Sequence, residues 1–103
     1  MPENRRSSTR HSVNIDVSIE HEGETGTYSM VNLSLGGALI VYPQRLPLGI
    51  HLDISFRMPT LDEPIKTKAQ VRWSSDEALG VQFDGLRARE VWSLNEFFKQ
   101  FEK

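Results

Sequence analysis

Two arginines near the start of the chain are spaced so that both could bind one anion. Arg6 and Arg10 enclose three small polar residues in an RxxxR pattern, and Arg5 directly precedes them. Each guanidinium presents a rigid fork of donors that fits phosphate oxygens and fits the O6 and N7 atoms of guanine equally well. The alternative interpretation is a solvated basic tail, because arginines at this separation are common in any chain.

A second segment combines small polar side chains with glycines in an NxSxxG pattern. It spans residues 32–37 and closes the second predicted strand. Residues two apart on a strand leave the same face, so we expect Asn32 and Ser34 to present hydrogen-bonding groups together, suited to a base edge. Gly37 would allow a ligand close to the backbone. The alternative is a bulge with turn-forming side chains.

The sequence contains no recognisable catalytic or metal-binding constellation. His11, His21 and His51 have no metal-ligand spacing such as HxxxH, and the chain has no cysteine. None of the serines lies in a GxSxG motif, and Gly36-Gly37 lacks the lysine and helix of a phosphate loop. We therefore expect no enzymatic activity, no metal site and no cofactor.

Length and charge limit the class of protein further. The chain has 103 residues, enough for one small domain, and a net charge of −2. Bulk electrostatics therefore do not favour a nucleic acid polymer or an anionic membrane, and any anion site must be local. The start is polar and no apolar run follows it, so we expect no signal peptide, no membrane insertion and a cytoplasmic location.

Alternating apolar residues predict six short strands. From Val13 the apolar residues recur at every second position, which is typical of a strand with one buried face. In the fifth strand, Ala69, Val71 and Trp73 are expected to share one face. Turns at this spacing favour a small antiparallel barrel or sandwich. The predicted strands cover residues 13–20, 27–33, 38–42, 50–56, 65–73 and 79–83.

The C-terminal segment, from about residue 87 to residue 102, has a helical pattern with an aromatic face. Its apolar positions are Val91, Leu94, Phe98 and Phe101, with Trp92 and Phe97 beside them. This face must be buried against the barrel or against a second chain. If Phe97, Phe98 and Phe101 do not all pack on their own barrel, we expect a homodimer through this helix.

Taken together, the two motifs resemble the signature of the PilZ domain, the bacterial receptor module for cyclic di-GMP. In that family RxxxR precedes (D/N)xSxxG, and residues 71–73 and 79–83 are similar to its later strands, which often contain VxW and GVxF. The resemblance covers nearly the whole chain. It implies a mainly β fold, a six-stranded antiparallel β-barrel with a C-terminal α-helix over residues 13–103. A flexible basic arm over residues 1–12 would carry RxxxR.

The resemblance also implies a role for each matching residue. Arg6 and Arg10 would bind guanine edges and phosphates, and Asn32 and Ser34 would hydrogen-bond a guanine. Gly37 would let cyclic di-GMP lie close to the backbone. Trp73 would form a wall for a base or ribose, with core packing as the alternative. In the family an arginine at the position of Arg5 is associated with two intercalated cyclic di-GMP molecules; the alternative is a solvated side chain.

The implied function is a stand-alone cyclic di-GMP receptor in which the arm becomes ordered on binding. It would signal through an unidentified protein effector, with motility and biofilm outputs indistinguishable at this level. The alternative is a PilZ-fold adaptor that does not bind cyclic di-GMP, although such members usually lack the arginine pair. Nucleic-acid binding would need a basic face with exposed aromatics, whereas the outward strand positions include Asp16, Glu20 and Asp53.

Overall fold

The computed structural model describes residues 10–61 and 63–101, without the side chain of Phe101. Arg5 and Arg6, and with them most of the predicted arm, lie outside the described residues. The elements are β1 (His11–His21), β2 (Glu24–Leu33), β3 (Gly37–Val41), β4 (His51–Phe56), β5 (Ile65–Ser74), β6 (Ala78–Phe83), α1 (Ala88–Phe98) and a 3-10 turn (Lys99–Phe101). Strand ends differ from the predicted ones by up to three residues, and pairing extends past the apolar pattern in β1, β2, β5 and β6.

The strands form a closed antiparallel barrel in the order β1-β2-β3-β6-β5-β4. The barrel closes where β4 pairs with β1, from Val17 opposite Phe56 to Glu20 opposite Asp53. Each of the six described strands thus pairs with a neighbour on both sides, which protects a small β domain from edge-to-edge association. The predicted six-stranded antiparallel β-barrel is confirmed.

The alternation of side chains fills the barrel with apolar residues. Inward positions of the strands are buried or half-buried, and Leu94 and Phe98 of α1 join the same core cluster. Fully buried β-branched and long aliphatic residues such as Val17, Ile40 and Ile65 occupy the interior, where their burial drives folding. The outer face remains free to carry polar groups and a binding site.

Helix α1 begins where Arg87 donates two hydrogen bonds to the carboxylate of Glu90. The Arg87 backbone N–H donates to Glu90 Oε1 and Arg87 Nη2 donates to Oε2, each at 2.9 Å. Burial of Glu90, which is 1% exposed, tends to raise the pKa of its carboxyl. The Arg87 hydrogen bonds outweigh burial, so the pKa lies below its ordinary value. This buried pair fixes where the helix begins.

The helix is shorter than predicted, since regular α-helix ends at Phe98. Phe98 is buried, Phe97 is half-buried and packs against the core, and Trp92 is 57% exposed. Two of the three phenylalanines invoked for a dimer thus pack on their own barrel. The homodimer stays a prediction.

Candidate ligand-binding site

A surface cavity of about 360 Å³ lies where segments distant in sequence meet on the outside of the barrel. Four of the predicted site residues line it, namely Arg10, Ser34, Gly37 and Trp73. The other lining residues are Gly36, Arg72, Gly80, Val81 and Gln82. The described lining therefore contains two arginines and no carboxylate, which makes this cavity locally basic on a chain of net charge −2.

Ser34 shapes the turn at the edge of the cavity. Its Oγ accepts the backbone N–H groups of Gly36 and Gly37, both at 3.2 Å, and donates to the Gly37 carbonyl oxygen at 3.3 Å. The expectation that Ser34 shares a strand face with Asn32 was wrong, because β2 ends at Leu33 and Ser34 is 5% exposed in the following turn. These contacts are those of a turn-forming serine.

Gly37 is a glycine because the barrel leaves no room for a side chain there. A Cβ at Gly37 would overlap the carbonyl oxygen of Val81 on β6, and Gly37 pairs with Gln82 in the same ladder. The Gly36 carbonyl oxygen accepts the N–H of Phe83 at 2.8 Å. The turn of residues 34–37 is therefore fixed to β6 by the strand pairing itself, and it presents a rigid backbone to the cavity.

Trp73 faces outward, so the expectation that it shares a face with Ala69 and Val71 was wrong. Val71 pairs with Val81 but Trp73 pairs with Gly80, which leaves one extra residue in β5 between them. Such a bulge changes which face the following side chain occupies. Ala69 and Val71 are fully buried, whereas Trp73 is 51% exposed.

Gly80 leaves space on the sheet surface for the Trp73 side chain. A Cβ at Gly80 would lie 3.3 Å from Trp73 Cβ and 3.8 Å from Trp73 Cε3. The indole therefore packs over the strand position that has no side chain, and a flat aromatic face lines the cavity. Such a face is suited to stacking with a purine.

Asn32 does not line this cavity, but it lies on the same cross-strand row as Trp73. The paired residues along this row are Trp73, Gly80, Leu39, Asn32 and Ser12. Neighbouring strands are about 4.8 Å apart, so Asn32 lies roughly 14 Å from Trp73 along the row. Leu39 and Gly80 lie between them, a juxtaposition that sequence reasoning missed because it depends on which strands become neighbours.

The described part of the chain shows neither a metal-binding cluster nor a membrane-spanning helix. Residues 10–61 and 63–101 contain no group of three or more His, Asp or Glu side chains able to hold a metal ion. Within the same ranges, no helix has the length and apolar character needed to cross a membrane. The cavity lined by Arg10 and Trp73 is therefore the candidate ligand-binding site.

Comparison with known proteins relates this geometry to one family. A family model for the PilZ domain matches residues 4–100. The structure is similar to the Bacillus subtilis inhibitor of motility, MotI/DgrA, with a TM-score of 0.82 and 24% identity over 96% of this chain and 53% of that one. This chain thus spans about half the length of that protein. Among proteins of curated function, none matches the sequence.

Two further similar structures contain cyclic di-GMP. The PilZ domain of YcgR from Escherichia coli with cyclic di-GMP gives a TM-score of 0.68 and 17% identity, covering 96% of this chain and 98% of that one. The Borreliella burgdorferi PlzA protein in complex with cyclic di-GMP gives 0.62 and 22%, covering 95% and 37%. At these identities the similarity establishes a shared fold.

Proposed function

This chain belongs to the PilZ domain family, and from that premise we propose that it is a receptor for cyclic di-GMP. The observation that carries the proposal is the convergence of Arg10, the turn of residues 34–37 and Trp73 on one cavity. These residues come from both motifs of the family signature and from its later strands. The YcgR and PlzA structures, which contain cyclic di-GMP, support the choice of ligand.

The chemistry of the cavity suits the parts of a cyclic dinucleotide. The Arg10 guanidinium would donate to a phosphate or to the O6 and N7 edge of a guanine, and Trp73 would stack on a base. Asn32 would hydrogen-bond a guanine placed farther along the cross-strand row. Arg5 and Arg6 would complete the arginine set, as the resemblance implies.

Ser34 takes a different role in this proposal from the one first expected. Its Oγ is already engaged with Gly36 and Gly37, so its main contribution is to hold the turn that borders the ligand. A preformed turn lowers the conformational entropy lost on binding. The ligand would therefore meet an ordered backbone on one side and the arginine-bearing segment on the other.

We further propose that binding is passed to a protein effector, with motility control as one output that the similarity to MotI suggests. His11 directly follows Arg10 and stacks on Phe98 of α1, with ring centroids 4.2 Å apart and an interplanar angle of 22°. A ligand bound to Arg10 would therefore lie close to the helix. Trp92, exposed on that helix, offers an apolar contact for a partner.

Isothermal titration calorimetry with cyclic di-GMP tests the receptor function. We expect Arg10→Ala to weaken binding by about tenfold or more, since hydrogen bonds to charged groups contribute roughly 1.5–3 kcal/mol. Arg45→Ala is the matched control, because Arg45 pairs with Asp76 outside this cavity and should bind as wild type does. Two ligands per chain would support the role proposed for Arg5.

Absence of binding by the folded wild-type protein would refute the receptor function. The alternative, a PilZ-fold adaptor that acts without cyclic di-GMP, would then be the better interpretation. Equal loss of affinity in Arg10→Ala and Arg45→Ala would show that the cavity is not where the ligand binds.

A further inference from the structure

Five of the described arginines fall into two groups according to their partners. Arg45, Arg87 and Arg89 each form an ion pair, with Asp76, Glu90 and Glu63 respectively. Arg10 and Arg72 make no ion pair with any carboxylate in the described ranges, and both line the cavity that Trp73 borders. Two positive charges that no described carboxylate neutralises therefore meet at one cavity, although they are far apart in sequence.

The bulge in β5 explains how Arg72 and Trp73 line the same cavity. Arg72 is the extra residue between the pairs Val71–Val81 and Trp73–Gly80. Regular alternation would place Arg72 and Trp73 on opposite faces, but at the bulge both side chains are exposed. The irregularity that turns Trp73 outward thus places a guanidinium beside the indole.

Arg72 contributes little to the stability of the fold. Its hydrogen bond within the described residues runs from Nη1 to Gln70 Oε1 at 3.3 Å, on the exposed surface. Such a bond contributes little, because water replaces it readily. An exposed arginine beside an aromatic ring, in a cavity without described carboxylates, is better suited to an anionic ligand.

We infer that Arg72 is a ligand-binding residue that contacts a phosphodiester group of the bound dinucleotide. This inference rests on the proposed receptor function and extends it to a position outside the two signature motifs. If a base stacks on Trp73, the phosphate linked to that nucleoside lies near the neighbouring residue of the strand. Arg10 and Arg72 would then contact the ligand from two different segments of the cavity wall.

Charge-matched variants on one strand provide the test. Arg72→Gln removes one positive charge from the cavity, whereas Lys66→Gln removes one from an exposed position of β5 that lines a different cavity. In calorimetric titrations with cyclic di-GMP, we expect Arg72→Gln to bind about tenfold more weakly and Lys66→Gln to bind as wild type does. Thermal melting should show both variants folded.

A conservative variant and a salt series identify the group that Arg72 contacts. Arg72→Lys keeps the charge but loses the planar fork, so for a phosphate contact it should bind more tightly than Arg72→Gln and more weakly than wild type. Affinity should also fall less steeply with added salt in Arg72→Gln than in wild type, because one screened attraction is missing. Equal weakening by Arg72→Lys and Arg72→Gln would overturn the phosphate assignment.

The outcomes separate this inference from the receptor function itself. Tight binding by wild type with unchanged binding by Arg72→Gln would overturn the role of Arg72 alone. No binding by wild type would overturn the receptor function and the role of Arg72 with it. Equal weakening by Arg72→Gln and Lys66→Gln would point to overall charge, and would also refute a direct contact.

Discussion

Replacing Ser34 by alanine should both destabilise the barrel and weaken the site. The substitution removes the acceptor for the N–H groups of Gly36 and Gly37 and the donor to the Gly37 carbonyl oxygen. Each such bond contributes roughly 0.5–1.5 kcal/mol, and the lost bonds are partly buried. We therefore expect the free energy of unfolding to fall by about 2 kcal/mol.

The turn between β5 and β6 provides a control with the same hydrogen-bond pattern. Ser75 Oγ accepts the N–H groups of Glu77 and Ala78 at 3.1 and 3.2 Å, and the Ser75 N–H donates to the Ala78 carbonyl oxygen, as the Ser34 N–H does to Gly37. Ser75 does not line the cavity. Ser75→Ala should lower stability by about 1 kcal/mol, because water replaces bonds in this more exposed turn.

Urea unfolding followed by far-UV circular dichroism measures the stability effect. For a domain of this size m is about 1 kcal/mol/M, so the Ser34→Ala midpoint should lie about 2 M below the wild-type midpoint. Titration with cyclic di-GMP should show weaker binding for Ser34→Ala and wild-type binding for Ser75→Ala. An unchanged midpoint would refute the structural role of Ser34, and equal affinities of the two variants would refute its contribution to the site.

Three further predictions concern the same elements. Gly37→Ala should destabilise the barrel by more than about 2 kcal/mol, because its Cβ would meet the Val81 carbonyl. Gly36→Ala, with open space around it, should change the melting temperature little, and similar melting temperatures of the two variants would contradict this prediction. Trp73→Ala should abolish most binding and lower stability about as much as Trp92→Ala, because the two side chains are similarly exposed, at 51% and 57%. Trp92→Ala should leave binding intact in the same titration. The pKa of Glu90 lies below its ordinary 4.5, so the stability due to its Arg87 pair should be present at neutral pH and be lost as pH falls from about 4.5 through the lowered folded-state pKa. The urea midpoint of Glu90→Gln should therefore change less between pH 7 and pH 3 than the wild-type midpoint does. Identical pH profiles of the two proteins would exclude this role.

Simple alternation in the sequence was sufficient to predict the strands, whereas the choice of a barrel over a sandwich came from the resemblance to the PilZ domain. Val17 and Ile19, for example, are apolar residues two positions apart, and both are buried. The C-terminal helix was likewise predictable from Leu94 and Phe98, which are four residues apart on one face. These patterns are local, so they can be recognised before strand order is known.

The details of the site were not predictable in the same way, because bulges depend on pairing between distant strands. The extra residue in β5 reversed the face of Trp73 and so placed it on the exposed side together with Arg72. The end of β2 at Leu33 moved Ser34 from a strand face into a turn. The pairing of β3 with β6, which sets the shape of the cavity around Gly37, is set by tertiary packing and not by local sequence.

NMR mapping of the bound ligand shows, residue by residue, where cyclic di-GMP contacts the protein. In ¹⁵N-labelled protein titrated with cyclic di-GMP, we expect the largest amide shifts at Arg10, Gly36–Gly37, Arg72–Trp73 and Gly80–Gln82, the positions around the cavity. Shifts concentrated instead at Ser18, Glu20, Asp53 and Lys66, which line another surface cavity, would contradict the account. Saturation without shifts near Arg10 and Trp73 would equally show that the ligand binds elsewhere.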